Sequence, residues 1–173
     1  MVPALLLAIG VAWSTFVRVR DSLEQQRGAI AADWSNLDGA LQERAGLIRG
    51  LVEAGRGSAR PTDDIRREVA GAYAEVLGGA TPQARINANQ RLSAALAKLL
   101  VAADSRPGAK PDRASLLLQE QIKNSDERVA VARLKYNETL EHYNARIQQF
   151  PHNLVAKIAG FSRNEAYYQT EPF

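Results

Sequence analysis

Two histidines, one arginine in an apolar seam and a repeated tyrosine–asparagine pair are the side chains with which this chain could do chemistry. His142 and His152 stand ten residues apart with Pro151 between them, a wider spacing than histidine zinc ligands use, so no metal is expected. The chain has no cysteine, which removes disulfides, thiolate sites and a cysteine nucleophile. No G-x-x-x-x-G-K-[ST], H-E-x-x-H or G-x-S-x-G occurs. Gly55-Arg56-Gly57 is a lone G-x-G and reads as a turn. General acid–base catalysis needs a positioned pair of groups, and the spacing offers none. No catalytic residue and no cofactor is expected, and the chain reads as a non-enzyme.

Arg44 falls on a seam position among Ile30, Trp34, Leu37, Leu41, Ile48 and Leu51. Two readings fit it: a packed stem with its head reaching a carboxylate, or an anion site. Tyr136-Asn137 and Tyr143-Asn144 repeat at seven residues. Tyrosines at one heptad position read as core, with the hydroxyls bonded at the edge; a ligand-binding role is the alternative. Asn137 and Asn144 flank that seam and suit hydrogen bonds to a neighbouring helix. The cluster Arg56, Arg60, Arg66 and Arg67 is interleaved with Asp63, Asp64 and Glu68, which suits a solvated helix end better than a phosphate site.

The elements that position these groups are helices. Of the 173 residues 46% are hydrophobic and 24% charged, and little alternates with period two. The formal net charge is +3 with a pI near 9.4, which does not call for nucleic acid and suits a protein beside anionic lipid. Residues 1–17 carry no charged side chain and meet Arg18, Arg20 and then Arg27. Three readings fit: a transmembrane helix with a clipped or very short outer end, a cleaved signal peptide, or a soluble core segment. The signal peptide is disfavoured because no basic region precedes the apolar run and Gly10-Val11-Ala12 is a poor cleavage site. Trp13 and Phe16 suit an interfacial aromatic belt, and the arginines place the rest of the chain in the cytoplasm.

The first arm continues from the apolar run to a stop at Gly55–Pro61. Thr62 is placed to cap a second helix with Asp63 and Asp64 in its first turn, and Gly78-Gly79 ends it. Thr81-Pro82 opens a third helix, whose face is Ile86, Leu92, Leu96, Leu99, Leu100 and Ala103. A loop at 106–111 leads to a fourth helix over 112–149. There Ile122, Val129, Tyr136, Tyr143 and Phe150 recur at sevens, with Ser125, Ala132 and Thr139 as small seam residues. Two long arms of coiled-coil pattern with two shorter helices between them predict an all-α, up-down four-helix bundle. The expected domains are a transmembrane helix (1–17), a bundle (18–161) and a C-terminal tail (162–173). Pro151 stops the fourth helix. Asn153 is expected to cap a short apolar helix closed by Gly160, which covers the open end of the bundle, meets lipid or docks on another protein. Gly39 and Gly46 lie seven apart on the back of the first arm, either to admit a partner helix or as tolerated positions.

The sequence also resembles the LemA family of bacterial membrane-anchored helical proteins. The resemblance rests on Arg133-x-x-Tyr136-Asn137, Tyr143-Asn144, Ile147-x-x-Phe150-Pro151-x-Asn153-Leu154 and Gly160-Phe161. Trp34 to Asp38, Leu47-Ile48, Leu51-Val52 and Arg91 to Ala103 add to it. It departs from the family pattern at Gln42 to Gly50, where relatives carry a polar run and Asp-Leu-Ile-Pro-Asn. The resemblance implies a single-pass inner-membrane protein, N-terminus outside and bundle in the cytoplasm, with no established enzymatic activity. Two functions are compatible: a membrane-anchored scaffold or interaction protein, or an accessory subunit that binds a small ligand or peptide for a membrane enzyme or protease. Candidate interaction residues are Arg44, Tyr136, Asn137, Tyr143, Asn144, Phe150, Asn153 and Phe161. The expected partners are the bilayer and an unidentified membrane or cytoplasmic protein, with room for a homo-oligomer and no nucleic acid.

Overall fold

The structure is a computed structural model that describes residues 2–54, 63–104 and 113–168. Among the described residues the fold is all-α, with five helices and no strand. They are α1 (Val2–Ala54), α2 (Asp63–Gly78), α3 (Pro82–Asp104), α4 (Arg113–Arg146) and α5 (His152–Ala159). The expected cap at Thr62, the loop residues on either side of α2–α3 and a helix start at Asp112 lie outside the described residues. The chain forms two compact units: Met1–Trp34 with Lys135–Tyr167, and Ser35–Leu134 with Tyr168–Phe173.

In the second unit the seam of α1 is buried as its spacing predicts. Leu37, Leu41, Arg44, Ile48 and Leu51 are all inside. Glu43 meets Arg128 and Arg44 meets Asp126, so rising numbers on α1 meet falling numbers on α4 and the two helices are antiparallel here. Helices α2 and α3 form an antiparallel hairpin, with Glu68 paired to Lys98 and Glu75 to Arg91. These exposed pairs add little stability; the hairpin is held by Ile65, Val69, Ala72 and Val76 buried with Ile86, Leu92 and Leu96. Thr81 caps α3 as expected, its hydroxyl accepting from the Ala84 N–H at 3.2 Å. A Cβ on Gly79 would fall 2.7 Å from the Glu75 carbonyl and 2.8 Å from the Arg85 side chain, so only glycine fits this turn. Arg85 donates to the Gly79 carbonyl at 2.9 Å and to Asp38 of α1, tying the turn to the first arm.

In the first unit Trp34 meets Tyr136 with ring centroids 5.5 Å apart, and Thr139 donates to Asp33 at 2.6 Å. The arms are antiparallel here too. Val19, Leu23, Ile30, Tyr136, Leu140, Tyr143 and Ile147 are buried. Phe150, at the next seven-residue step, is 81% exposed. The heptad places a residue in the seam only while the helix lasts, and α4 ends at Arg146, three residues short of expectation. The final N–H groups of Gln148 and Gln149 bond three residues back, to Ala145 and Arg146. That is the tightening that satisfies a helix end, and it precedes Pro151, whose ring would clash with a helical carbonyl at 147.

The short helix α5 exists, with one correction. Its N-cap is Pro151, with no side-chain cap. Asn153 therefore lies inside the helix, and its backbone N–H donates to the Gln149 carbonyl at 2.9 Å, so an asparagine side-chain cap is not used. Gly160 closes the helix as expected, left-handed at φ 75°, and the Phe161 N–H returns to the Ala156 carbonyl at 2.9 Å. Gly39 and Gly46 face open space, with nothing within 4 Å of an added Cβ. Among the described residues no helix packs closely against them.

Candidate functional site

A buried polar network lies in the second unit. Helix α1 brings Arg44 into a seam of leucine and isoleucine, where it is 6% exposed. Its Nε donates to Asp126 of α4 and its Nη1 to Asn89 of α3 at 3.2 Å. Asn89 turns its Nδ2 to the Tyr168 hydroxyl at 3.1 Å, and Arg133 lies over the Tyr168 ring at 5.8 Å. The carboxylate reading of Arg44 is therefore the observed one. Asp126 is about half exposed, so the charge is buried at one end and solvated at the other. With its donors turned to Asp126 and Asn89, Arg44 stabilises helix register; a buried polar contact of this kind can specify one alignment among several.

A second network lies in the first unit, where α4 grips the chain beyond α5. Tyr143 donates its hydroxyl to the Ser162 carbonyl at 3.0 Å. Asn144 donates to the Asn164 carbonyl at 2.7 Å and to the Tyr167 hydroxyl at 2.8 Å, and accepts from the Asn164 N–H at 2.9 Å. Asn144 thus holds the returning chain, where a neighbouring helix was expected. Tyr136 and Tyr143 are core, as their spacing predicts. Burial raises the pKa of Tyr136. Burial also raises that of Tyr143, with Arg27 opposing and Glu24 adding to the rise. Asn137 is half-buried.

Two further features complete the candidates. An open cavity of about 490 Å³ lies among Arg49, Val52, Arg66, Val69 and Tyr73. Arg49 stacks over the Tyr73 ring at 4.9 Å and donates to Glu53 at 2.9 Å; that hydrogen bond, with the Glu53 charge, raises the pKa of Arg49. The other feature is apolar. Leu6, Leu7, Ile9, Val11 and Trp13 of α1 are all exposed, as are Phe150, Leu154 and Ile158. Among the described residues no helix is long and apolar enough to cross a membrane. The uncharged run reaches Arg18 after Val17, while Met1 and the side chains of Val2 and Leu5 lie outside the described residues. What the structure shows at this end is a helix with apolar side chains in the open.

The structure thus joins Tyr143 with Asn144, sets Arg44 in a separate network, and leaves Phe150 and Asn153 exposed. Phe161 is half-buried beneath the Arg27 guanidinium at 5.5 Å. Asn89, Asp126, Asn164 and Tyr168 were missed. Asn89 had a signal, since it stands three residues from both Ile86 and Leu92 on the apolar face of α3. Asn164 and Tyr168 follow no periodicity and had none.

No curated protein matches the chain. The model of the LemA family matches residues 33–172, a span that takes in Arg44, both tyrosine–asparagine pairs and the returning segment that Tyr143 and Asn144 hold; the chain belongs to the LemA family.

Proposed function

We propose that this protein is a membrane-anchored, non-enzymatic scaffold, which holds a helical bundle at the bilayer and offers its surfaces to partner proteins. The observation that supports this most is the apolar start of α1. Leu6, Leu7, Ile9, Val11 and Trp13 stay exposed, yet they belong to the same helix that supplies Leu37, Leu41 and Ile48 to the core. Leaving large apolar side chains in water forgoes roughly 1.5–3 kcal/mol each. Lipid removes that cost. Trp13 and Phe16 stack at 6.1 Å just before Arg18 and Arg20, an arrangement that suits the membrane interface. The arginines favour the cytoplasmic side for the bundle.

Protease added outside spheroplasts tests the orientation. A C-terminal tag should survive until the membrane is permeabilised. Digestion in intact spheroplasts would reverse the topology.

The accessory-subunit reading is favoured by one feature, the cavity beside Arg49 and Tyr73. Its Tyr73 ring and the Arg49 guanidinium, which a ligand would share with Glu53, suit a small carboxylate with an apolar body. Calorimetric titration of benzoate into the protein and into Arg49→Ala checks it. Saturable heat lost in the variant supports this reading, and equal weak heats in both dismiss it.

A further inference from the structure

We infer that α5 is a second membrane-contact element, an in-plane helix whose Leu154–Ile158 edge, with Phe150 in the turn before it, seats on an anionic bilayer surface. This rests on the anchoring proposed above and adds a contact that the apolar start of α1 does not require.

Val155 and Ala156 are buried and hold α5 on its own unit. Gly160 then turns the chain, and Phe161 comes under Arg27 of α1. Leu154 and Ile158 lie one turn apart on α5 and are 54% and 66% exposed, and Phe150, in the turn before the helix, is 81% exposed. Single exposed apolar residues are ordinary, but a contiguous strip marks a contact surface.

Three observations favour lipid as the occupant. First, the same unit carries the start of α1, where Leu6, Leu7, Ile9 and Val11 are exposed. At 100° per residue these do not share one face. A protein partner covers one stripe of a helix, whereas lipid surrounds it. Secondly, across 1–27 and 145–163 there are six basic residues against Asp21 and Glu24, and none of the acids lies on α5 or in the turn before it. That balance suits anionic headgroups. Thirdly, the levels agree. Gln26 of α1 lines one cavity with Ala145, Arg146 and Gln149 at the end of α4, and the two helices are antiparallel, so the chain after Gln149 continues towards the start of α1. Leu23 and Val19 are both buried. Val19 adjoins Arg18, where the uncharged run meets its first charge, so the packed part of the unit extends to that level. A short helix with one apolar edge and Lys157 as its one charged residue has the form of an interfacial helix.

Because the chain has no cysteine, a single Ile158→Cys or Ile9→Cys replacement in the full chain takes a fluorophore at one chosen place. The labelled protein is reconstituted in phosphatidylcholine–phosphatidylglycerol vesicles that carry a nitroxide near the headgroup or near the acyl-chain end. At position 158 the headgroup nitroxide should quench several-fold more than the chain-end nitroxide, and the quenching should weaken in pure phosphatidylcholine or with Phe150→Ser and Leu154→Ser together. At position 9 the order should reverse. Quenching at 9 without quenching at 158 overturns the α5 contact and leaves the anchor standing. Quenching at 158 without quenching at 9 supports the α5 contact and removes the anchor. Excimer emission from pyrene at 158, without lipid quenching, would assign the strip to a second copy and overturn the inference.

Discussion

Asn144 of α4 and Asn164 of the returning chain hold each other twice. The Asn144 amide donates to the Asn164 carbonyl at 2.7 Å, and its oxygen accepts the Asn164 N–H at 2.9 Å. A buried side-chain amide thus does what a neighbouring strand would do for that backbone unit. Asn144→Ala removes both bonds and leaves two backbone groups without them, a loss of about 1–3 kcal/mol. Urea unfolding should show that loss. Limited proteolysis should cut first at 162–168 in the variant.

Asp126 is the partner that makes Arg44 tolerable among leucines. Asp126→Ala leaves the guanidinium buried with Asn89 alone, and because Asp126 is half exposed the loss should be about 1–3 kcal/mol, below that of a fully buried pair. Asp126→Ala combined with Arg44→Met should recover much of it, because a packed apolar stem can replace a buried pair. Denaturant midpoints of the single and double variants measure the coupling.

Both faces of this architecture were legible for the same reason: α1 and α4 bury strict seven-residue seams. Arg44, Tyr136 and Tyr143 were placed in the core by spacing alone, and the structure puts them there. Phe150 obeyed the same spacing and is exposed, because period carries no information about where α4 stops. The partners of Arg44 and Asn144 were harder to read. Asn89 and Asn164 are separated from them by 45 and 20 residues, and such contacts follow from tertiary placement. The returning segment has neither helical nor strand period, so its role as ligand for Asn144 left no trace in the sequence.

Gly39 and Gly46 carry the cost of glycine in a helix with no close approach to justify it. Gly39→Ala and Gly46→Ala should each stabilise the bundle by up to about 1 kcal/mol. Thermal unfolding checks this. Loss of stability in either would reveal a neighbour seated on that side of α1.

The two core tyrosines make stability fall at alkaline pH. Their folded pKa values are raised by burial above the ordinary value of about 10. Below about pH 10 both are neutral whether folded or unfolded, and their contribution is complete. As the pH rises further the unfolded chain ionises first, so stability declines until the folded pKa values are passed. Melting temperature should drop over that range, and Tyr136→Phe with Tyr143→Phe should flatten the drop.

Flotation with vesicles tests the anchoring most directly. The full chain is mixed with phosphatidylcholine–phosphatidylglycerol vesicles and spun through a density gradient in about 1 M salt, where surface charge is screened within about 3 Å. If α1 anchors the bundle, the protein floats with the lipid, and Leu7→Glu with Ile9→Glu leaves it at the bottom with its melting temperature unchanged. Native protein that stays at the bottom, or a double variant that floats as well as the native chain, would contradict anchoring by α1.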